Sequence, residues 1–134
     1  MRKLRHLLSR LDSKEGIEWV VEGDDILVSL SAHGRQQRIH VVREDSQYVF
    51  STVVLASRST NRTRTHKRRL AIRAWTRNAE TELVNFTFDR VGRLVAEIRH
   101  PADHLDSVEL EIYMKLLATE GDRFEYVLTG NDEH

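Results

Sequence analysis

The sequence contains no cysteine, which excludes disulfides, zinc–thiolate centres and thiol nucleophiles together. Proline occurs once, at Pro101, and glycine six times, so interruptions of regular structure are few and each marks a boundary. No run of about 18 apolar residues is present, and nothing is expected to cross a membrane. Net charge is lacking as well, since 21 Lys and Arg balance 21 Asp and Glu. There is no Gly-x-Ser-x-Gly elbow and no phosphate-cradling glycine loop, and no carboxylate is accompanied by a nucleophile or a metal-ligand set. His100, Asp103 and His104 are close in sequence, but Pro101 keeps His100 out of any helix that would align it with His104. The expectation is a non-enzymatic, cytoplasmic protein with no cofactor and no metal.

What is present is an ordinary globular composition, 40% apolar over 134 residues, enough for one domain over residues 1–130 with a polar tail at 131–134. The balanced charge is unevenly placed. Residues 1–73 carry a net +7 and residues 74–134 a net −7, a pattern that suits either a polyanion-binding face or electrostatic complementarity between subunits.

Periodicity gives the elements. Leu4, Leu7, Leu8 and Leu11 form a helical stripe. Ile17, Trp19 and Val21 alternate as a strand, as do Ile26, Val28 and Leu30, then Gln37, Ile39 and Val41; Tyr48 to Ala56 reads as a fourth, more buried strand. Ser57 to Thr65 lacks apolar residues and reads as a loop, with Thr65 placed to cap a helix over His66–Ala79. In that helix Leu70, Ala71, Ala74, Trp75 and Asn78 group on one side. Val84, Phe86 and Phe88 alternate as a strand that turns back through Asp89–Gly92 into Leu94, Ala96 and Ile98. Pro101 ends this strand. Asp106 and Glu109 make a capping box for a last helix reaching about Leu128, in which Gly121 is a possible break. The fold class is α+β, three helices packed on a twisted antiparallel sheet in the order α-β-β-β-β-α-β-β-α.

Three segments carry a family resemblance: Arg73 to Glu80 (RAWTRNAE), Phe86 to Pro101 (FTFDRVGRLVAEIRHP) and Asp106 to Gly130 (DSVELEIYMKLLATEGDRFEYVLTG). With Phe86, Asp89, Gly92 and Leu94 in the hairpin and Asp122-Arg123-Phe124-Glu125 in the last helix, the chain resembles the fold shared by class I type III secretion chaperones and YbjN-like proteins. Its balanced charge and Arg-rich segment 58–73 depart from the secretion chaperones, so the YbjN-like group is the nearer resemblance. The resemblance implies a homodimer without catalysis that binds an extended segment of another protein. It also implies an interface at the middle helix and following strand, where Leu70, Ala74, Trp75, Val84 and Phe86 lie. For Trp75 itself core and dimer contact both remain open.

A second feature stands apart from that resemblance. Arg62, Arg64, Lys67, Arg68 and Arg69 gather where loop runs into helix, an arrangement suited to an anion or an acidic partner. No aromatic is interleaved there to stack bases. Nucleic acid is therefore the alternative partner rather than the leading one, and a polyanion-binding regulator is the alternative function.

Overall fold

A computed structural model describes residues 17–129 except 24, 31–34, 61, 62 and 82. The helix expected over residues 1–13 and the tail at 131–134 fall outside the described residues. Four strands come first: β1 (Ile17–Glu22), β2 (Asp25–Leu30), β3 (Arg35–Glu44) and β4 (Gln47–Leu55). A one-turn helix α1 (Ser57–Thr60) and a long helix α2 (Arg64–Glu80) lead to β5 (Asn85–Phe88) and β6 (Leu94–Pro101). A short 3-10 turn then opens the final helix α3 (Ser107–Thr129).

The strands form one six-stranded antiparallel sheet in the order β1-β2-β3-β4-β6-β5. The first four make a meander, because each turn is too short for anything but antiparallel return. After β4 the chain crosses β6 through α2, lays β5 at the far edge, and returns through β6 to the space between. Alternation decides the faces. Ile26, Val28, Ile39, Val41, Tyr48, Phe50, Leu94, Ala96 and Ile98 point to one side and are buried, and α3 lies over them with Leu110, Met114, Leu117, Ala118 and Phe124. In β1 Trp19 packs against this core, whereas Val21, expected on the same buried side, is exposed.

Three local expectations need correction. The segment 57–65 is not wholly loop: Ser57–Thr60 closes one helical turn, held by the fully buried Thr60 hydroxyl, which donates to the Gly92 carbonyl of the β5–β6 hairpin. The cap of α2 is Thr63 rather than Thr65; its backbone is extended and its hydroxyl accepts the His66 N–H at 2.9 Å. Gly121 does not break the last helix, which runs uninterrupted from Ser107 to Thr129. The described residues thus hold two long helices where three had been expected. The Asp106–Glu109 capping box forms as read, with Glu109 N–H on Asp106 Oδ1 at 2.8 Å and Asp106 N–H on Glu109 Oε1 at 3.3 Å.

Candidate protein-binding surface

The least satisfied element of this fold is α2. It has 17 residues, yet only Leu70 and Ala74 are buried. A surface helix of a globular protein ordinarily turns a broad apolar stripe to the core. Here the stripe is narrow and the outward face holds large apolar groups instead: Ile72 is 56% exposed and Trp75 77%. The register explains this. Leu70 and Ala74 are buried and Asn78 bonds the β5 backbone, so that side of α2 packs inward, and Ala71 and Trp75, one position further round, face solvent. The expected grouping of Trp75 with Leu70 and Ala74 on one side is therefore not what the helix presents.

Of the residues expected at an interface, Leu70, Ala74, Val84 and Phe86 lie in the protomer's own core, and Phe86 stacks edge-on against Phe124 at 4.6 Å between centroids. Only Trp75 of that set is presented outward. Two exposed neighbours in sequence that pattern reading had not singled out, Ile72 and Leu83, join it. Leu83 follows the Thr81 cap with φ near +68°, a left-handed conformation that a bulky side chain adopts only under strain. Such strain gathers where a residue is held for something other than monomer stability.

Asn78 explains why the β5 edge is not free. Its side-chain amide donates to the Phe86 carbonyl at 2.9 Å, and its Oδ1 accepts the Phe86 N–H at 2.6 Å. Phe86 sits opposite Ala96 of β6, so these are the backbone groups an edge strand turns outward. The carboxamide takes the place of a neighbouring strand and blocks one from adding there. At the opposite edge β1 pairs with β2 alone among the described residues, and its Val20 is 61% exposed. An Asn on the core side of a helix was the sequence signal for this device.

The join of α2 to α3 is polar and tight. Arg77 reaches Glu120 at 3.1 Å with both side chains largely buried, and its guanidinium lies over the Phe124 ring at 5.7 Å. The Arg-rich group is different. Arg64, Lys67, Arg68 and Arg69 are all exposed, and none makes an ion pair among the described residues; Arg62 lies outside them.

A cavity of about 700 Å³ opens on the sheet, with Asp25, Arg38, His40, Asp89, Arg93 and Glu97 in its wall. Its charges are engaged: Asp25 receives Arg38 at 2.7 Å and His40 at 2.6 Å, Asp89 receives Arg93 at 2.6 Å, and Glu97 receives Arg99 from outside the wall at 3.2 Å. The His40 hydrogen bond, helped by Arg38, holds the Asp25 carboxyl below the usual carboxylate range. His100 on β6 contacts the Tyr113 hydroxyl through Nδ1 at 2.6 Å and stands 3.6 Å from Glu109.

No protein-family model matches the chain, and no curated protein matches it either. Its structure is similar to a chain in the crystal structure of the ExsC–ExsE complex, with a TM-score of 0.53 over 95% of this chain and 94% of that one at 14% identity. The likeness is one of fold: an antiparallel sheet backed by helices, shared over nearly the whole length of both chains. No helix among the described residues is long and apolar enough to cross a membrane.

Proposed function

We propose that this chain is a non-enzymatic, chaperone-like protein-binding module that acts as a homodimer and engages an extended segment of another protein. The observation that carries the reading is α2, whose outward face offers Ile72 and Trp75 to solvent while only two of its residues are buried. Large apolar and aromatic groups on an otherwise polar helix are the usual anchors of an interface. The resemblance in fold to a chain of a two-protein complex supports protein binding in general. The β1 edge is the place for an extended segment to add as a further strand, because main-chain donors and acceptors there are not claimed by another described strand, whereas Asn78 occupies those of Phe86 in the middle of β5.

Size-exclusion chromatography with light scattering tests the dimer. Wild type is expected at twice the chain mass, and Ile72→Asp or Trp75→Ala at the monomer mass with an unchanged circular dichroism spectrum, since both side chains are exposed in the protomer. Phe86→Asp is unsuitable, because burying a carboxylate against Phe124 would unfold the chain. A folded Ile72→Asp variant that remains fully dimeric removes α2 from the interface.

A further inference from the structure

The two central strands of the sheet do not pair along their whole length. The β3–β4 ladder runs from Glu44 opposite Gln47 to His40 opposite Ser51 and stops there. Beyond it residues 35–39 pair only with β2, and Thr52, Val53 and Leu55 only with β6. The cause lies in β4, whose register shifts between Val53 and Leu55 and leaves Val54 as an extra residue. A bulge bends its strand and increases the local twist, and here it turns β4 away from β3. The result is a fork inside the sheet. Alternate main-chain donors and acceptors along its two sides lack a strand partner among the described residues.

Three further features meet at this fork. The cavity of about 700 Å³ has Gln36, Gln37 and Arg38 in its wall from one strand and Ser51, Thr52 and Val53 from the other. Helix α3 floors it, since a Cβ built on Gly121 would lie 3.0 Å from the Thr52 methyl and 3.9 Å from Gln37 Oε1. The buried inward positions Ile39, Val41, Phe50 and Val54 of the same strands are apolar, whereas Gln37 and Thr52 are polar and buried. These two bond each other across the fork, the Thr52 hydroxyl donating to Gln37 Oε1 at 3.2 Å. Side chains of this kind offer hydrogen bonds at a depth where apolar ones would seal the sheet.

From this we infer that the fork between β3 and β4 is a binding site for a short, extended, basic peptide, which enters as an intervening strand and pairs through its main chain with β3 on one side and β4 on the other. Residues 35–39 set its length, about 17 Å of extended chain. Alternation sets its side chains. Those turned inward meet Gln37, Thr52 and Gly121 and must be small. The cavity wall holds Asp25, Asp89, Glu97 and Glu125 against Arg38 and Arg93, an acidic balance that Arg99 on Glu97 lessens without cancelling. Lysine or arginine is its complement. The inference rests on the extended-segment reading above and adds to the β1 edge a seat within the sheet.

The test uses the peptide Ac-Lys-Thr-Lys-Thr-Lys-NH2, the same peptide N-methylated at every residue, and a version with Glu in place of Lys, read by amide hydrogen exchange. The amides of residues 36–38 and 52–54 that face the fork are expected to slow about tenfold or more with the first peptide. The N-methylated form keeps the charge but has no main-chain donors, and should leave them unchanged. The Glu form should bind about tenfold more weakly or worse. Because the chain has no cysteine, Arg38→Cys with Val53→Cys places one staple where the β3–β4 register would continue. Oxidation is expected to abolish protection and reduction to restore it in the same molecule, which separates closure of the fork from misfolding. Equal binding by the N-methylated peptide overturns the inference, as does binding that oxidation of the staple leaves untouched. Protection confined to residues 18–22 of β1 overturns the fork and leaves the extended-segment reading standing. Protection at neither place with millimolar peptide overturns both.

Discussion

Asp89 shows how one side chain organises a turn. Its Oδ1 accepts the Val91 N–H at 3.1 Å and the Arg93 N–H at 2.8 Å, and its Oδ2 takes the Arg93 Nε at 2.6 Å. Gly92 beside it has φ near +85°, where a side chain would be strained. Burial pushes the Asp89 carboxyl up, but the Arg93 backbone and guanidinium and the Val91 N–H outweigh it, and the group stays below the usual carboxylate range. The consequence for stability has a definite sign. A carboxyl lowered in the folded state contributes stability that is complete above its unfolded pKa of about 3.9 and is lost as pH falls through the folded value. Asp89→Asn is expected to lower stability by about 1–2 kcal/mol at neutral pH, because it removes a charge-assisted bond. It should also flatten the acid limb of a plot of urea midpoint against pH. A variant whose acid limb stays parallel to wild type below pH ~4 would show that Asp89 does not titrate with folding.

At the scale of elements, Gly121 is a position where α3 comes close to the sheet. A Cβ built there would lie 3.0 Å from the Thr52 Cγ2 methyl, and Thr52 is itself buried, its hydroxyl on Gln37 Oε1 at 3.2 Å. Helix propensity alone favours alanine by about 1 kcal/mol, and overpacking opposes it by about 1–3 kcal/mol. Gly121→Ala is expected to lower stability by about 1 kcal/mol net, and Thr52→Ser in the same chain to restore it by removing the methyl while keeping the hydroxyl. If Gly121→Ala instead stabilises in urea denaturation, the close approach does not govern this position. Asn78 works at the same scale in the opposite sense, since it joins α2 to β5 through the Phe86 backbone and holds the helix in the orientation that turns Ile72 and Trp75 outward.

For the whole molecule, association and stability are linked. Ligands of the folded state, a second copy included, raise apparent stability by mass action. The wild-type melting temperature is therefore expected to rise with protein concentration over a hundredfold dilution series, and that of Ile72→Asp to stay constant. A concentration-independent wild type with an unchanged elution mass would set the dimer aside. The sheet order, with its two unlike edges, also belongs to this scale: Asn78 closes one edge, and no described strand pairs beyond the other.

Much of this was legible in the amino-acid order because it depends on neighbours in the chain. Alternation marked the strands, and the Asp106–Glu109 capping box and the Asp89–Gly92 hairpin formed where they were read, since their donors and acceptors lie within four residues of each other. The antiparallel α+β class followed from turns too short to permit parallel return. Other features depended on approach between distant segments. Whether Trp75 was core or surface turned on which side of α2 packs inward: Leu70, Ala74 and Asn78 take that side, and Trp75, about 100° further round from Ala74, is left in solvent. Gly121 read as a weak point in a helix until Thr52 stood opposite it, and Asn78 read as one more residue of a core stripe until the Phe86 backbone lay beside it. The sequence by itself settled which segments become strands and helices, because local hydrogen bonds and periodic burial act along the chain. Only the tertiary structure decided which faces were left over, because exposure is what remains after distant segments have packed.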